Sequence, residues 1–402
     1  MTQTPAVAII GAGPSGLALA RLLEVRGISY VVYERDAASP DDVTTLGLKR
    51  AGGTLDIHAA TGQRAIVEGG LLKEFEKYAR YDAACFKLWD YRGTQYIDHE
   101  RGSDFPEIDR GDLRKIYLDS VPKEKIRWGH ALKRVTKDGP DGTPVLEFAD
   151  GSTASGFRLV VGADGAWSKV KALVNPVAPQ YCGVHYIESR INLDNPVYAA
   201  VQARVGKGML LVGGPYKMIT MQNLGDGSYR IYSGARVPED FSTDGKHDFS
   251  DTEAMRALCL SDEFFGQDWV DEFRSFIRHS TDFRPWPLYH VPAESVAYAS
   301  VPGVTLVGDS AHLGPPSGEG ANYAMTDALY LADKIAEHGG LDTDEARDRA
   351  VREYETEMFE RGSGLVKRGV GMIDMFFTED SPKSIVDMFI QKGVPIEEKK
   401  AA

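Results

Sequence analysis

Several features that would mark a function class are scarce or missing in this chain. There are only three cysteines, Cys85, Cys182 and Cys259, far apart and without CxxC spacing. A redox disulfide, a disulfide-stapled secreted domain and a thiolate metal site are therefore not expected, whereas buried thiols in a reducing compartment are. Positive charge is not in excess: 46 Lys and Arg stand against 59 Asp and Glu, a formal net charge of −13, with no local basic block. That removes the electrostatic footprint for nucleic acid or an anionic membrane. No uninterrupted apolar run approaches the ~18 residues of a membrane span. The first strand pattern opens within a few residues of Met1, so a signal peptide is not expected. A cytoplasmic protein is expected. Repeats and low-complexity segments are also lacking. The 402 residues, 43% of them apolar, are enough for two or three domains with real cores.

What is present begins at residue 7. Val7–Ile10 is a short apolar run suited to a buried parallel strand. Gly11-Ala12-Gly13-Pro14-Ser15-Gly16 follows, and then Leu17, Leu19, Ala20, Leu22 and Leu23 at helical spacing until Gly27. A second strand over 29–33 ends at Glu34. This strand–turn–helix–strand order is the context that gives a GxGxxG motif its meaning. Gly11 permits the tight turn, Gly13 lets the backbone approach a pyrophosphate, and Gly16 lets helix and strand pack closely. The helix N-terminus offers unpaired N–H groups to phosphate oxygens. Glu34 lies 18 residues past Gly16, where a carboxylate takes ribose hydroxyls. It opposes NADP at this site, because a 2′-phosphate would meet that carboxylate. NAD and FAD both remain open.

Further along, strands are predicted over 52–57, 126–128, 133–136 and 145–148, with a hairpin turn at Asp150-Gly151. Helices are predicted over 63–75, broken near Gly69-Gly70, and over 110–120. From 180 to 236 the pattern becomes β-rich, with 197–205 read as one of its strands. Helices over 251–260 and 269–280 follow, then a strand over 303–307, a long charged amphipathic helix over 344–370 and a short one over 381–391. The expected fold is α/β: a split Rossmann-like nucleotide domain, a β-rich insertion and a long C-terminal helix. Apolar strands from both ends of the chain then share one sheet.

Three motifs stand in order: Gly11-x-Gly13-x-x-Gly16 with Glu34, then Gly162-Ala163-Asp164-Gly165, then Gly308-Asp309-Ser310-Ala311-His312 with residues 315–322. Together they resemble the single-component FAD-dependent aromatic hydroxylases, the para-hydroxybenzoate hydroxylase type of flavoprotein monooxygenase. The stretches 52–66, "GLLKEF" and 109–118 are similar to the tetracycline-inactivating branch. The resemblance implies an FAD-binding domain over 1–75, 103–178 and 295–343, a β-rich substrate domain over 76–102 and 179–294, and a C-terminal helical segment over 344–402. It implies cofactor contacts from Gly11, Gly13, Pro14, Ser15 and Gly16, from Glu34 and Arg35 at the adenosine ribose, and from Arg110 and Arg114. It adds Asp164 near the pyrophosphate and the NAD(P)H path, and Asp309 at the ribityl chain. Pro315, Gly318, Gly320, Ala321 and Asn322 would face the isoalloxazine. The implied reaction consumes NADPH or NADH and inserts one atom of O2 into an aromatic or polycyclic small molecule through a flavin C4a-hydroperoxide. The flavin carries that chemistry, so no catalytic side chain and no metal site are assigned.

The chain departs from the family pattern at Ser310 (usually Ala), at Glu319 (commonly Gln, so that a negative charge would stand near the flavin) and at Lys171 (commonly Arg). The tetracycline branch's substrate-contacting Gln, Arg and His are matched here by Glu188, Gly208 and Arg230, so the antibiotic is not carried over as substrate. Glu188 and Arg230 become the candidate substrate-orienting residues. Met209, Met218, Met221, Tyr216 and Tyr232 are candidates for an apolar lining. His312, His58 and His290 read as structural. A monomer or weak homo-oligomer is expected. A flavoprotein that binds FAD and a ligand without turnover is the alternative.

Overall fold

The computed structural model describes residues 5–37, 52–83, 85–100, 104–396 and 398–400. The chain divides into two units. One comprises Met1–Tyr78, Arg110–Gln180 and Tyr289–Gly369; the other comprises Ala79–Asp109, Tyr181–Leu288 and Val370–Ala402.

The first unit is built on a five-stranded sheet, ordered Val304–Leu306, Leu159–Gly162, Val7–Ile10, Tyr30–Tyr33, Ile126–Arg127. Every pairing is parallel: Val7 stands beside Leu159 and Tyr30, Val160 beside Val304, and Val32 beside Ile126. The sequences VAII, YVVY, LVVG and VTL are almost wholly buried, as a parallel sheet covered on both faces requires. Strands from the two ends of the chain do share one sheet, because parallel neighbours need long crossovers and an insertion can occupy one of them. The Pro14–Val25 helix buries Leu17, Leu19, Ala20, Leu22 and Leu23. It ends at Gly27 (φ +69°), with Gly27 N–H donating to Glu24 O and Ile28 N–H to Leu23 O, the paired bonds of a glycine C-terminal stop. A three-stranded antiparallel sheet over Leu132–Thr136, Val145–Phe148 and Thr153–Ser155 turns at Gly151.

The second unit is an eight-stranded sheet. Its order is Thr281–His290, Gln180–Ile191, Tyr229–Ala235, Lys217–Asn223, Met209–Gly214, Cys85–Asp90, Thr94–Glu100, Lys399–Lys400. One face buries Ile187, Ile231, Ile219 and Leu210 together with Val201, Met255, Phe273 and Phe276. The other buries Tyr186, Tyr232, Met218 and Leu211 with Ile373, Phe377 and Ile385. Each such apolar side chain contributes about 1.5–3 kcal/mol by leaving water.

One predicted strand is a helix. Residues Tyr198–Val205 are helical, with Val201 and Val205 buried. The Asn195 Oδ1 accepts from Val197 N–H, and Tyr198 N–H donates to Asn195 O. This turn starts the helix, and Gly206 (φ +76°) stops it. The apolar positions 197, 201 and 205 repeat every four residues, a helical spacing that the valines' strand propensity obscured. The predicted C-terminal helix runs farther than expected, over Asp344–Phe376.

Candidate functional site

The turn between the first strand and the first helix is fixed by close contacts. Gly11 has φ +107°, and a Cβ there would lie 2.3 Å from Ala163 O; a Cβ on Gly16 would lie 2.1 Å from Gly11 O. Gly13 is different: nothing lies within 4 Å of its would-be Cβ, so its side of the turn is open. Pro14 opens the helix, where its missing N–H costs nothing. Ser15 is buried against Gly308. No side chain caps the helix, so its first N–H groups are free for an anion.

Glu34 closes one side of this turn. Its carboxylate is 7% exposed and accepts from Ala12 N–H (2.6 Å) and Asp36 N–H (3.0 Å). No cation pairs with it among the described residues, so its remaining lone pairs are available to hydroxyls. Arg35 is exposed. Arg114, on the Arg110–Ser120 helix, donates from Nε to Ala12 O (2.9 Å). Arg110 packs its side chain over Gly52, and its backbone N–H donates to Gly53 O.

Asp309 begins a single helical turn just past the Val304–Leu306 strand. It is exposed, with no hydrogen bond or ion pair to a described residue. Its position is set by the buried carboxylate of Asp327, which is fully buried. Asp327 Oδ2 accepts from Gly308 N–H (3.0 Å) and meets His312 Nε2 at 2.6 Å, and Oδ1 accepts from Arg361 Nη2 (3.2 Å). Burial pushes the His312 imidazole down, but the Asp327 carboxylate outweighs it and the pKa stands above the ordinary value.

The other predicted cofactor residues divide in two groups. Asp164 is engaged within its own loop, accepting from Ser168 Oγ (2.5 Å) and Lys169 N–H (2.7 Å). Ser310 Oγ donates to Asp164 and accepts from Gly165 N–H, tying two of the three motifs together. Asn322 is buried and doubly used: its Oδ1 accepts from His58 N–H (2.8 Å) and its Nδ2 donates to Asp56 O (2.7 Å). Pro315 is buried against Gly369. Gly318, Gly320 and Ala321, by contrast, are wholly or partly exposed at the start of the Gly320–Glu337 helix, which no side chain caps. Glu319 is not an uncompensated charge, because Arg368 Nε donates to it at 2.8 Å. Lys171 is buried, its Nζ 3.4 Å from Ala311 O, and burial pushes its pKa down to about 8.

Free helix N–H groups, an open glycine side, a buried carboxylate at Glu34 without a cation partner among the described residues, and an unpaired Asp309 together fit a dinucleotide such as FAD. The chain matches the family described as the FAD binding domain over residues 4–179 and 275–369. It belongs to that family. Among relatives of this FAD-binding-domain protein is the 3-amino-4-hydroxybenzoate 2-monooxygenase of Streptomyces cremeus, 28% identical, covering 94% of this chain and 89% of that one. Its fold is also that of solved structures, of which two serve as examples. Klebsiella pneumoniae HpxO complexed with FAD and uric acid has a TM-score of 0.75 at 21% identity, covering 96% of this chain and 92% of that one. Tetracycline destructase Tet(51) has a TM-score of 0.67 at 19% identity, covering 96% and 94%. The FAD-binding-domain protein is thus an enzyme of the FAD-dependent monooxygenase family.

In its second unit, Arg230 Nη1 lies 2.5 Å from Glu188 Oε1, with both side chains largely buried. Met209, Met218 and Tyr232 share that sheet face, whereas Met221 belongs to the core of the opposite face and Tyr216 is exposed. The five apolar candidates therefore do not form one lining. Sequence reasoning missed Asp327 and Arg361. The available signal was a single Asp among Met325, Ala328 and Leu329 on the buried side of a helix. No helix among the described residues is long and apolar enough to cross a membrane.

Proposed function

We propose that the enzyme uses NAD(P)H and FAD to insert one atom of O2 into an aromatic or polycyclic small molecule, releasing the other as water. The observation that carries the reading is the convergence in one unit of the uncapped glycine-turn helix, Glu34 and the unpaired Asp309. Gly11, Gly13 and Gly16 with the helix N–H groups would hold the pyrophosphate, Glu34 the adenosine ribose, and Asp309 the ribityl region. Arg114 braces the turn through Ala12 O. The exposed start of the Gly320–Glu337 helix would present N–H groups to the flavin ring, favouring negative charge there. When bound, the flavin supplies oxygen activation; the chain supplies position and electrostatics. The named substrate of the Streptomyces relative supports an aromatic substrate here, and NAD(P)H is the reductant that the family resemblance implies. Glu188 and Arg230 would orient the substrate.

The test is NAD(P)H consumption by the FAD-loaded protein across phenols, indoles and polyketides. The reading expects slow oxidation without ligand and strong acceleration, with an oxygenated product, by the right aromatic. FAD binding without acceleration by any ligand would instead support a binding flavoprotein.

A further inference from the structure

On the face of the eight-stranded sheet that carries Tyr186, Tyr232 and Met218, one polar spot interrupts apolar side chains. The strand register places Glu188 opposite Tyr232 and Arg190 opposite Arg230. Side chains two apart on a strand share a face, so Glu188 and Arg230 are diagonal neighbours on one side, within reach of each other. Gln222 stands opposite Arg230 and Thr220 opposite Tyr232 on that same side. Arg190 is already spent on Asp226 and Ser228. Arg230 is 5% exposed, and Glu188 Oε1 engages only its Nη1. Its Nε is buried without a hydrogen-bond partner.

A buried donor without an acceptor is costly, and a ligand oxygen that reaches it gains accordingly. The charge at this spot is already balanced by Glu188. A lone Arg would favour a carboxylate; an Arg with a carboxylate at 2.5 Å would set a second carboxylate against a like charge. A mixed donor–acceptor pair suits instead a neutral carbonyl, amide or lactam, whose oxygen accepts from Arg230 and whose N–H or O–H donates to Glu188. We infer that the Glu188–Arg230 pair makes the enzyme selective for uncharged aromatics bearing a carbonyl-type oxygen, and that Glu188 is the residue excluding aromatic carboxylates. This deepens the proposed monooxygenase reading and rests on it.

The test uses matched pairs differing only in that group: 4-hydroxybenzamide against 4-hydroxybenzoate, and 4-quinolone-3-carboxamide against its carboxylic acid. Binding to the FAD-loaded protein is measured by calorimetry, and NAD(P)H oxidation is followed in parallel. Wild type should bind at least one amide tenfold or more tightly than its acid. Glu188→Gln should erase or invert that preference, mainly by tightening the acid, while FAD content stays unchanged. Because Glu188→Gln leaves a buried cation unpaired, the double variant Glu188→Gln/Arg230→Gln serves as its partner. It should discriminate between amide and acid less than threefold. Equal binding of acid and amide by wild type, a preference untouched in both variants, or no binding of any pair overturns the inference. Loss of FAD binding or of all ligand-stimulated oxidation by wild type would instead overturn the monooxygenase reading.

Discussion

Replacing Asp327 by Ala should destabilise the first unit and loosen the Gly308–Asp309 turn. The Asp327 carboxylate is fully buried and serves three partners: Gly308 N–H, His312 Nε2 and Arg361 Nη2. Removing one member of a buried ion pair costs about 3–5 kcal/mol, since the other charge is left unpaired. The Gly308 N–H, also orphaned, falls within the same order, because part of the strain relaxes. At roughly 2–4 °C per kcal/mol for a unit of this size, the thermal midpoint of the apoprotein should fall by about 10 °C. Asp327→Asn keeps the shape and an oxygen for Gly308, so it should cost less. The pH dependence carries a sign. The His312 pKa is raised above its ordinary 6.5, so the stability it contributes is full below that value and is lost as pH rises through the raised one. The gap between wild type and Asp327→Asn should therefore be wider at acid than at alkaline pH. Thermal unfolding of the three proteins across that range reads both effects. A loss under about 1 kcal/mol for Asp327→Ala, or a gap that widens with pH, would refute the reasoning.

Three other outcomes follow from the same geometry. Glu34→Ala should weaken FAD binding about 10- to 100-fold, the value of charge-assisted bonds of about 1.5–3 kcal/mol, as read by flavin fluorescence titration of the apoprotein; unchanged affinity would remove Glu34 from the site. Gly16→Ala should sharply lower FAD content on purification, because its Cβ would fall 2.1 Å from Gly11 O. Glu355, 1% exposed, has its carboxyl pushed up by burial, so the folded state holds its proton longer than the unfolded one. Wild-type stability should then fall as pH rises above the ordinary Glu value, whereas Glu355→Gln should be flatter in a pH series of thermal midpoints.

The glycine turn, its flanking strands and Glu34 were legible in sequence because each residue type there answers a local geometric demand within 30 positions. The split sheet was legible because four short β-branched runs had no other place to be buried. The Asp327 node was not, since a buried charge makes sense only with partners at 308, 312 and 361, brought together by the fold. The pairing of Glu188 with Arg230 likewise depends on a register between two distant strands. Met218 and Met221, by contrast, could have been assigned to opposite faces from strand periodicity alone. The Tyr198–Val205 helix was hidden by its valines, whose strand propensity outweighed a four-residue repeat.

The most direct test of the central claim is the fate of isotopic oxygen. The FAD-loaded protein is supplied with NAD(P)H, the ligand that best accelerates its oxidation, and 18O2 in ordinary water, and the products are weighed by mass spectrometry. The account predicts one 18O atom in the organic product and one product per NAD(P)H in the well-coupled case. Oxygen drawn from water, or NAD(P)H consumed with hydrogen peroxide as the sole oxygen product for every ligand tried, would contradict it.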